Sequence, residues 1–366
     1  IHFSILRYFP YGSFTLDDSK IFYSMHNRKD KLLNVRKLCF KINTINIYSK
    51  IFEFPEIIIS DGSINIKGEL LDTLFNGSNV ENKNTSYFVE TKSIIVNRCK
   101  IKYSNENTIN LNVFTKESSF SGSFLPNSLS FKLNLNINQF TGRLSGFNFK
   151  TNDFITVSST VKQKNNTYFS ENGNISKGKV ALGFSFLYNT KEDFLQIKTN
   201  IENFSAKTFF KELLKNMNIP VIKGNISYES FYSVNLRVPK SQKLTLKYSL
   251  DNIGLEGYKN LSILNLKGKT TFTNDFNKNH SEIDNYLVHY NGFEMAGSSL
   301  VKNFPKPSVL IESKIKSLGE MHLSKGLSLK GKLTGNIKAL VKIDNINKLD
   351  YKSLKINKIQ SELTLE

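Results

Sequence analysis

The 366 residues contain no tryptophan, two cysteines, five histidines and seven prolines. Two cysteines, Cys39 and Cys99, cannot build a disulfide framework or a zinc site of familiar spacing. Whether they pair depends on their Cα atoms coming within about 7 Å. His2, His26, His280, His289 and His322 lie far apart and fit no zinc motif. His289, within Leu287-Val288-His289-Tyr290, reads as a strand-face residue. A Gly-x-Ser-x-Gly elbow, a P-loop and a dinucleotide fingerprint are all absent. Asp17-Asp18 and Glu192-Asp193 are adjacent carboxylates in turn-like settings and read as solvated. The expectation is a protein that is not an enzyme and holds no metal or cofactor. No run approaches the ~20 apolar residues of a membrane span, and no signal peptide is visible. The chain opens on Ile1 and closes on Ser361-Glu362-Leu363-Thr364-Leu365-Glu366, which reads as mid-strand. It is therefore expected to be a piece of a longer protein.

Acidic residues are also scarce. Asp and Glu number 31 against 50 Lys and Arg, a formal net charge of +19. Such a field attracts phospholipid headgroups, lipopolysaccharide or nucleic acid. The lysines are scattered along strand faces, and the excess of Lys, Asn, Ile and Phe looks like the output of an A+T-rich genome. Nucleic-acid binding would rest on charge alone and is not expected. Apolar residues make up 39% and charged residues 22%, a balance that fits a folded chain rather than a disordered one.

What is abundant is β-alternation. In Ser130-Phe131-Lys132-Leu133-Asn134-Leu135-Asn136-Ile137-Asn138, the four apolar residues point one way and the polar ones the other. The pattern returns in Val180-Ala181-Leu182-Gly183-Phe184-Ser185-Phe186-Leu187-Tyr188, in Leu244-Thr245-Leu246-Lys247-Tyr248-Ser249-Leu250 and in Ser308-Val309-Leu310-Ile311-Glu312-Ser313-Lys314-Ile315. Strands are expected at 93–103, 108–115, 120–124, 129–138, 142–149, 155–163, 179–188 and 194–201. Asn172-Gly173 and Pro126-Asn127 are read as turns between them.

Residues 45–52 fit a short amphipathic helix stopped by Pro55. Asp61-Gly62 lies between apolar runs and predicts a type I′ hairpin, with Ile59 facing Ile64 and Ile57 facing Ile66. Residues 70–85 read as a loop or linker. The best helix is 206–217, with Ser205 as N-cap and Phe209, Phe210, Leu213, Leu214 and Met217 on one stripe. A weak internal repeat runs strand, cap element, then a strand announced by Lys-Gly, at Lys223-Gly224 and again at Lys330-Gly331.

Taken in order, these segments resemble the AsmA-like family of bacterial envelope proteins. The N-terminal resemblance runs through Tyr8-Phe9-Pro10-Tyr11-Gly12-Ser13-Phe14-Thr15-Leu16, Leu32 to Leu38, Ile51-Phe52-Glu53-Phe54-Pro55 and Asp61-Gly62-Ser63-Ile64. The C-terminal resemblance runs through Phe293-Glu294-Met295-Ala296-Gly297-Ser298, Pro307 to Ile315, and Lys330-Gly331 through Gly335-Asn336-Ile337. It implies residues 1–76 as an N-terminal strand-helix-hairpin region and 77–366 as an extended β-groove. It further implies an inner-membrane-anchored protein facing the periplasm, with the anchor helix absent from this chain. The family looks similar to repeating β-groove, bridge-like lipid-transfer proteins, and its members are linked to outer-membrane assembly.

The expected fold is therefore mainly β: a long twisted antiparallel sheet curled into an apolar-lined groove, with a few short capping helices. The expected partners are phospholipids or other anionic envelope lipids, a membrane, and envelope proteins. A groove suits acyl chains, since each buried CH₂ is worth about 0.8 kcal/mol against water. The residues expected to line it are Phe131, Leu133, Leu135, Ile137, Leu182, Phe184, Phe186, Leu244, Leu246 and Tyr248. The same alternation also fits a closed sandwich or barrel whose apolar faces pack together, acting as an assembly scaffold.

Overall fold

Alternating side chains drive most of the described residues into strands. The computed structural model describes residues 2–4, 11–25, 28–43, 51–68, 88–105, 109–125, 128–144, 147–213, 221–256, 261–275, 278–302, 307–317, 321–324, 327–329, 333–343 and 354–365. Contacts divide the chain into two units. One is Ile1–Leu195 with Asn235–Pro239, and the other is Gln196–Val234 with Lys240–Glu366. The N-terminal region expected over 1–76 shares its sheet with the residues that follow it.

The first unit contains β1 (His2–Ser4), β2 (Tyr11–Met25), β3 (Arg28–Asn43), β4 (Ile51–Phe54), β5 (Glu56–Lys67), β6 (Phe88–Thr91) and β7 (Ser93–Asn105). These are followed by β8 (Ile109–Leu125), β9 (Ser128–Leu144), β10 (Phe147–Thr151), β11 (Ile155–Lys164), β12 (Thr167–Lys177) and β13 (Val180–Asn189). The sheet runs β1–β2–β3–β5–β7–β8–β9. The far edge of β9 then pairs with β10 beside residues 140–144 and with β11 beside residues 130–137, and β12 and β13 follow. Every pairing in this sheet is antiparallel except β5 with β7, which is parallel. The same crossover sets β4 parallel to β6 as a separate ribbon, where Thr91 Oγ1 donates to the Phe54 carbonyl at 2.9 Å. Pro55 and Lys92 are the points where each chain leaves this ribbon and enters the main sheet.

Several local expectations are corrected. Asp61-Gly62 is not a hairpin tip, because β5 runs straight through it. Ile59 pairs with Leu38 and Val96, and Ile64 pairs with Leu33 and Ile101. Asp61 does take the positive φ of a turn, at 61°. With a strand hydrogen-bonded on each side, that φ makes a kink rather than a reversal. Asn172-Gly173 is likewise an irregularity inside β12. The strands expected at 108–115 and 120–124 are one strand, β8. Ile51 and Phe52, expected to end a helix, lie in β4; residues 44–50 and 69–87 lie outside the described residues.

The second unit holds all but the ends of β14 (Phe194–Ser205), β15 (Val221–Asn235) and β16 (Val238–Leu255), with α1 (Ala206–Leu213), β17 (Leu261–Thr273), β18 (His280–Tyr290) and β19 (Phe293–Lys302). It continues through β20 (Ser308–Ser317), β21 (Met321–Ser324), β22 (Leu327–Leu329), β23 (Leu333–Ile343) and β24 (Leu354–Leu365). Antiparallel pairs run β16–β17–β18–β19–β20–β23–β24. Side chains tie β14 to β15 and β15 to β16: Glu229 meets Lys198 at 2.5 Å and Lys247 at 3.6 Å. A strand, cap, strand order occurs at both places, with Lys223-Gly224 inside β15 and Lys330-Gly331 outside the described residues. The cap is α1 after β14 and the β21–β22 ribbon after β20. Ser205 caps α1 as expected, its Oγ accepting from the Thr208 amide at 3.4 Å. The rest of the expected helix, 214–217, lies outside the described residues.

The fold is mainly β, and its sheet is not closed into a barrel. Among the described residues no helix is long and apolar enough to cross a membrane.

Candidate apolar binding face

In the first unit, register carries apolar side chains from strand to strand on one face. One row reads Leu16, Leu38, Ile59, Val96, Ser118, Leu135, Val157, Ile175 and Leu182, crossing from β2 to β13. A parallel row reads Phe14, Phe40, Ile57, Ile94, Phe120, Leu133 and Ser159. Ser159 then bonds Ser170, which pairs with Phe186. On the other side of the first row, Ile137 pairs with Thr115 and Ile155. The expected lining residues Phe131, Leu133, Leu135, Ile137, Leu182, Phe184 and Phe186 therefore share a single face.

The continuity of that face depends on the kinks. Asp18, Asp61 and Arg98 have φ of 48°, 61° and 48°. Inward side chains step from Leu16 to Ser19, from Val35 to Leu38 and from Val96 to Cys99, three residues each time instead of two. Alternation slips at the same level on neighbouring strands, so the apolar residues on both sides of the kink stay on one face. The ion pair between Arg98 and Asp61 bridges two kinks, with Nε to Oδ1 at 2.6 Å and the second nitrogen to Oδ2 at 2.8 Å. These hydrogen bonds hold the Asp61 carboxyl below its ordinary value.

Burial on the face is uneven. Leu33, Val35, Leu38, Val96 and Cys99 form a buried cluster, all at 4% exposure or less. Phe40 stacks on Phe14 at 4.8 Å and meets Phe54 of the β4–β6 ribbon at 5.6 Å. Further along, Phe131, Leu133, Leu135, Leu182, Phe184 and Phe186 are half-buried. In a closed sandwich the facing sheets remove such residues from water. Here they keep part of their surface. The Phe184 ring lies over Gly173, where there is no Cβ to obstruct it.

In the second unit, Leu244, Leu246 and Tyr248 also share a face. Leu246 continues through Thr270, Ser281, Val301, Val309 and Val341. Tyr248 continues through Gly268, Ile283, Ser299, Ile311, Ala339 and Ile359. Hydroxyls punctuate these rows: Ser281 Oγ lies 2.8 Å from Thr270 Oγ1 and 3.2 Å from Tyr248 Oη, and Tyr286 bonds Ser313. Sequence pattern did not reveal this hydroxyl content, because hydroxyl residues read as polar positions rather than as members of an apolar face. α1 sets Phe209 edge-on to Tyr228 at 5.6 Å, and burial raises the Tyr228 pKa.

The opposite faces carry the charge. Lys198, through its hydrogen bond, lowers the Glu229 pKa. His289 faces Glu294 at 3.1 Å, and in the turns that follow β13 and β15 Asp193 takes Arg237 Nε at 2.6 Å. Cys39 sits in the row Thr15, Cys39, Ile58, on the face opposite Cys99, with β5 between their strands. Both are free thiols, and burial raises the Cys99 pKa. Among the described residues no group of three or more His, Cys, Asp or Glu is assembled to hold a metal. Comparison with protein-family models, curated proteins and solved structures finds no match to this chain.

Proposed function

We propose that this chain is a lipid-binding protein of the bacterial envelope that carries phospholipid acyl chains along its apolar sheet face, in transfer between membranes or in support of outer-membrane assembly. The observation that carries this reading is the half-exposed apolar surface on β9 and β13, continuous through β11 and β12. Large apolar side chains left in water forfeit about 1.5–3 kcal/mol each, so such a face calls for an apolar occupant. Acyl chains suit it because they are flexible and gain from contact with aromatic and aliphatic side chains alike. Against a bilayer the exchange is nearly neutral, so a chain is neither trapped nor repelled.

The resemblance to the AsmA-like family extends the proposal to a parent protein anchored in the inner membrane and facing the periplasm. The alternative, an envelope scaffold with a filled core, draws on the buried cluster around Val96 and Cys99. Purification followed by lipid extraction and mass spectrometry tests the two. Stoichiometric phospholipid is expected. A lipid-free protein that also fails to take up added phospholipid would overturn the groove reading in favour of the scaffold.

A further inference from the structure

The face opposite the apolar rows has a corner of different character. At the β2–β3 end, Lys20 pairs with Asn34, Asn34 with Ser63, and Ser63 with Lys100, a row across four strands. Lys102 follows beside Asn65. The register of β2 with β3 shifts by one residue where Ile21 meets Leu33 and Phe22 meets Lys31. The extra residue, Leu32, lies in β3, so β2 keeps its alternation and Phe22 falls on the face of Lys20. Lys29 and Lys31 lie across from it, with their ammonium groups 4.9 and 5.9 Å from the Phe22 ring centroid.

Phe22 is 43% exposed, and Lys20, Lys29, Lys31, Lys100 and Lys102 are all exposed. Among the described residues none of these lysines has a carboxylate partner. Of the acids on this part of the sheet, Asp30 is engaged by Lys67 at 2.6 Å and Asp61 by Arg98, and Asp17 and Asp18 lie further along β2. Register thus gathers Lys20, Lys29 and Lys31 by one exposed aromatic ring, and Lys100 and Lys102 extend the basic surface beyond β5 onto β7.

We propose that this corner seats on an anionic membrane surface, with Phe22 entering the interfacial layer and the lysines meeting lipid phosphates. An amphipathic patch of basic stems around an aromatic ring matches the headgroup boundary, where cations face phosphate and the ring leaves water. Each lysine near an anionic leaflet adds attraction that falls off within a Debye length, roughly 8 Å at physiological salt. A nucleic acid would use the charge but has no need of an exposed phenylalanine outside a base stack. The proposal is independent of whether acyl chains occupy the opposite face.

Vesicle co-sedimentation of the whole chain tests it, using phosphatidylcholine alone and phosphatidylcholine with roughly a third phosphatidylglycerol. At least about tenfold tighter binding to the anionic vesicles is expected, weakening as salt rises. Lys29→Gln with Lys31→Gln should lower that binding by about tenfold or more, and Phe22→Ser should lower it severalfold with the salt dependence kept. Circular dichroism melts matching the parent chain establish that the variants fold. Equal binding to both vesicle types, or unchanged binding by the double variant, would overturn the proposal. So would tighter binding to a duplex oligonucleotide than to vesicles, lost in the lysine variant but not in Phe22→Ser. Phospholipid extracted from the purified chain reports on the groove reading alone, so either idea can fail without the other.

Discussion

Arg98 and Asp61 meet side by side from neighbouring parallel strands, each at a positive φ, and their side chains close a two-point ion pair at 2.6 and 2.8 Å. The pair lies where the alternation of β5 and β7 slips. It links two residues whose backbones are individually unfavourable for side-chain-bearing residues.

Asp61 therefore makes stability depend on pH in a definite direction. Its folded pKa lies below the ordinary value of 3.8, with Arg98 hydrogen bonding as the first cause. A depressed carboxylate stabilises the fold above its unfolded pKa, and that contribution is lost as pH falls through the folded value. Urea midpoints of the parent chain and Asp61→Asn should differ by a constant amount from neutral pH down to about pH 5, then converge below the ordinary carboxylate range. A gap that persists unchanged in strong acid would show that the ion pair is not the source.

Gly62 separates a strand reading from a turn reading. A Cβ there would overlap the Asn34 carbonyl oxygen and lie 2.6 Å from Val35 Cα, both backbone atoms of β3. Gly62→Ala should cost about 1–3 kcal/mol in equilibrium unfolding. In the hairpin reading the same position would be solvent-facing. At Gly173 the atoms nearest to an added Cβ belong to the Phe184 ring, a side chain that can rotate, so Gly173→Ala should cost less.

Charges on the apolar face distinguish a track from a core. Leu133 and Phe184 are half-buried, whereas Val96 is 2% exposed. Val96→Glu buries an unpaired carboxylate and should destabilise by at least about 3 kcal/mol. Leu133→Glu and Phe184→Glu should leave the melting temperature close to that of the parent chain and sharply reduce co-purified phospholipid. Unfolding by all three would identify a filled core instead.

The cysteines should behave as independent thiols. They lie on opposite faces with a strand between them, and Cys99 is fully buried with a raised pKa. Native thiol titration should label Cys39 and reach Cys99 only in denaturant. Mild oxidation should produce no intramolecular disulfide.

Much of this was legible in the residues. Leu133, Leu135 and Ile137 announced a one-sided strand because a strand sends alternate side chains to opposite faces whatever lies beside it. Ser205 announced a helix start because an N-cap acts within four residues. Signals of that kind are local. Asp61-Gly62 misled for the same reason: the positive φ it supplies serves a reversal or a kink equally well. The lysines of the Phe22 corner read as scattered because they come from three strands and share one face only through register.

By itself, the sequence determined that this chain is built of strands with one apolar and one polar side, since side-chain period is a property of the extended backbone. The tertiary structure decided which strands became neighbours, that β5 and β7 run parallel, and that the kinks at Asp18, Asp61 and Arg98 keep a single apolar face continuous. Strand pairing is set by hydrogen bonds between segments far apart in sequence, and no local pattern encodes which segment will supply them.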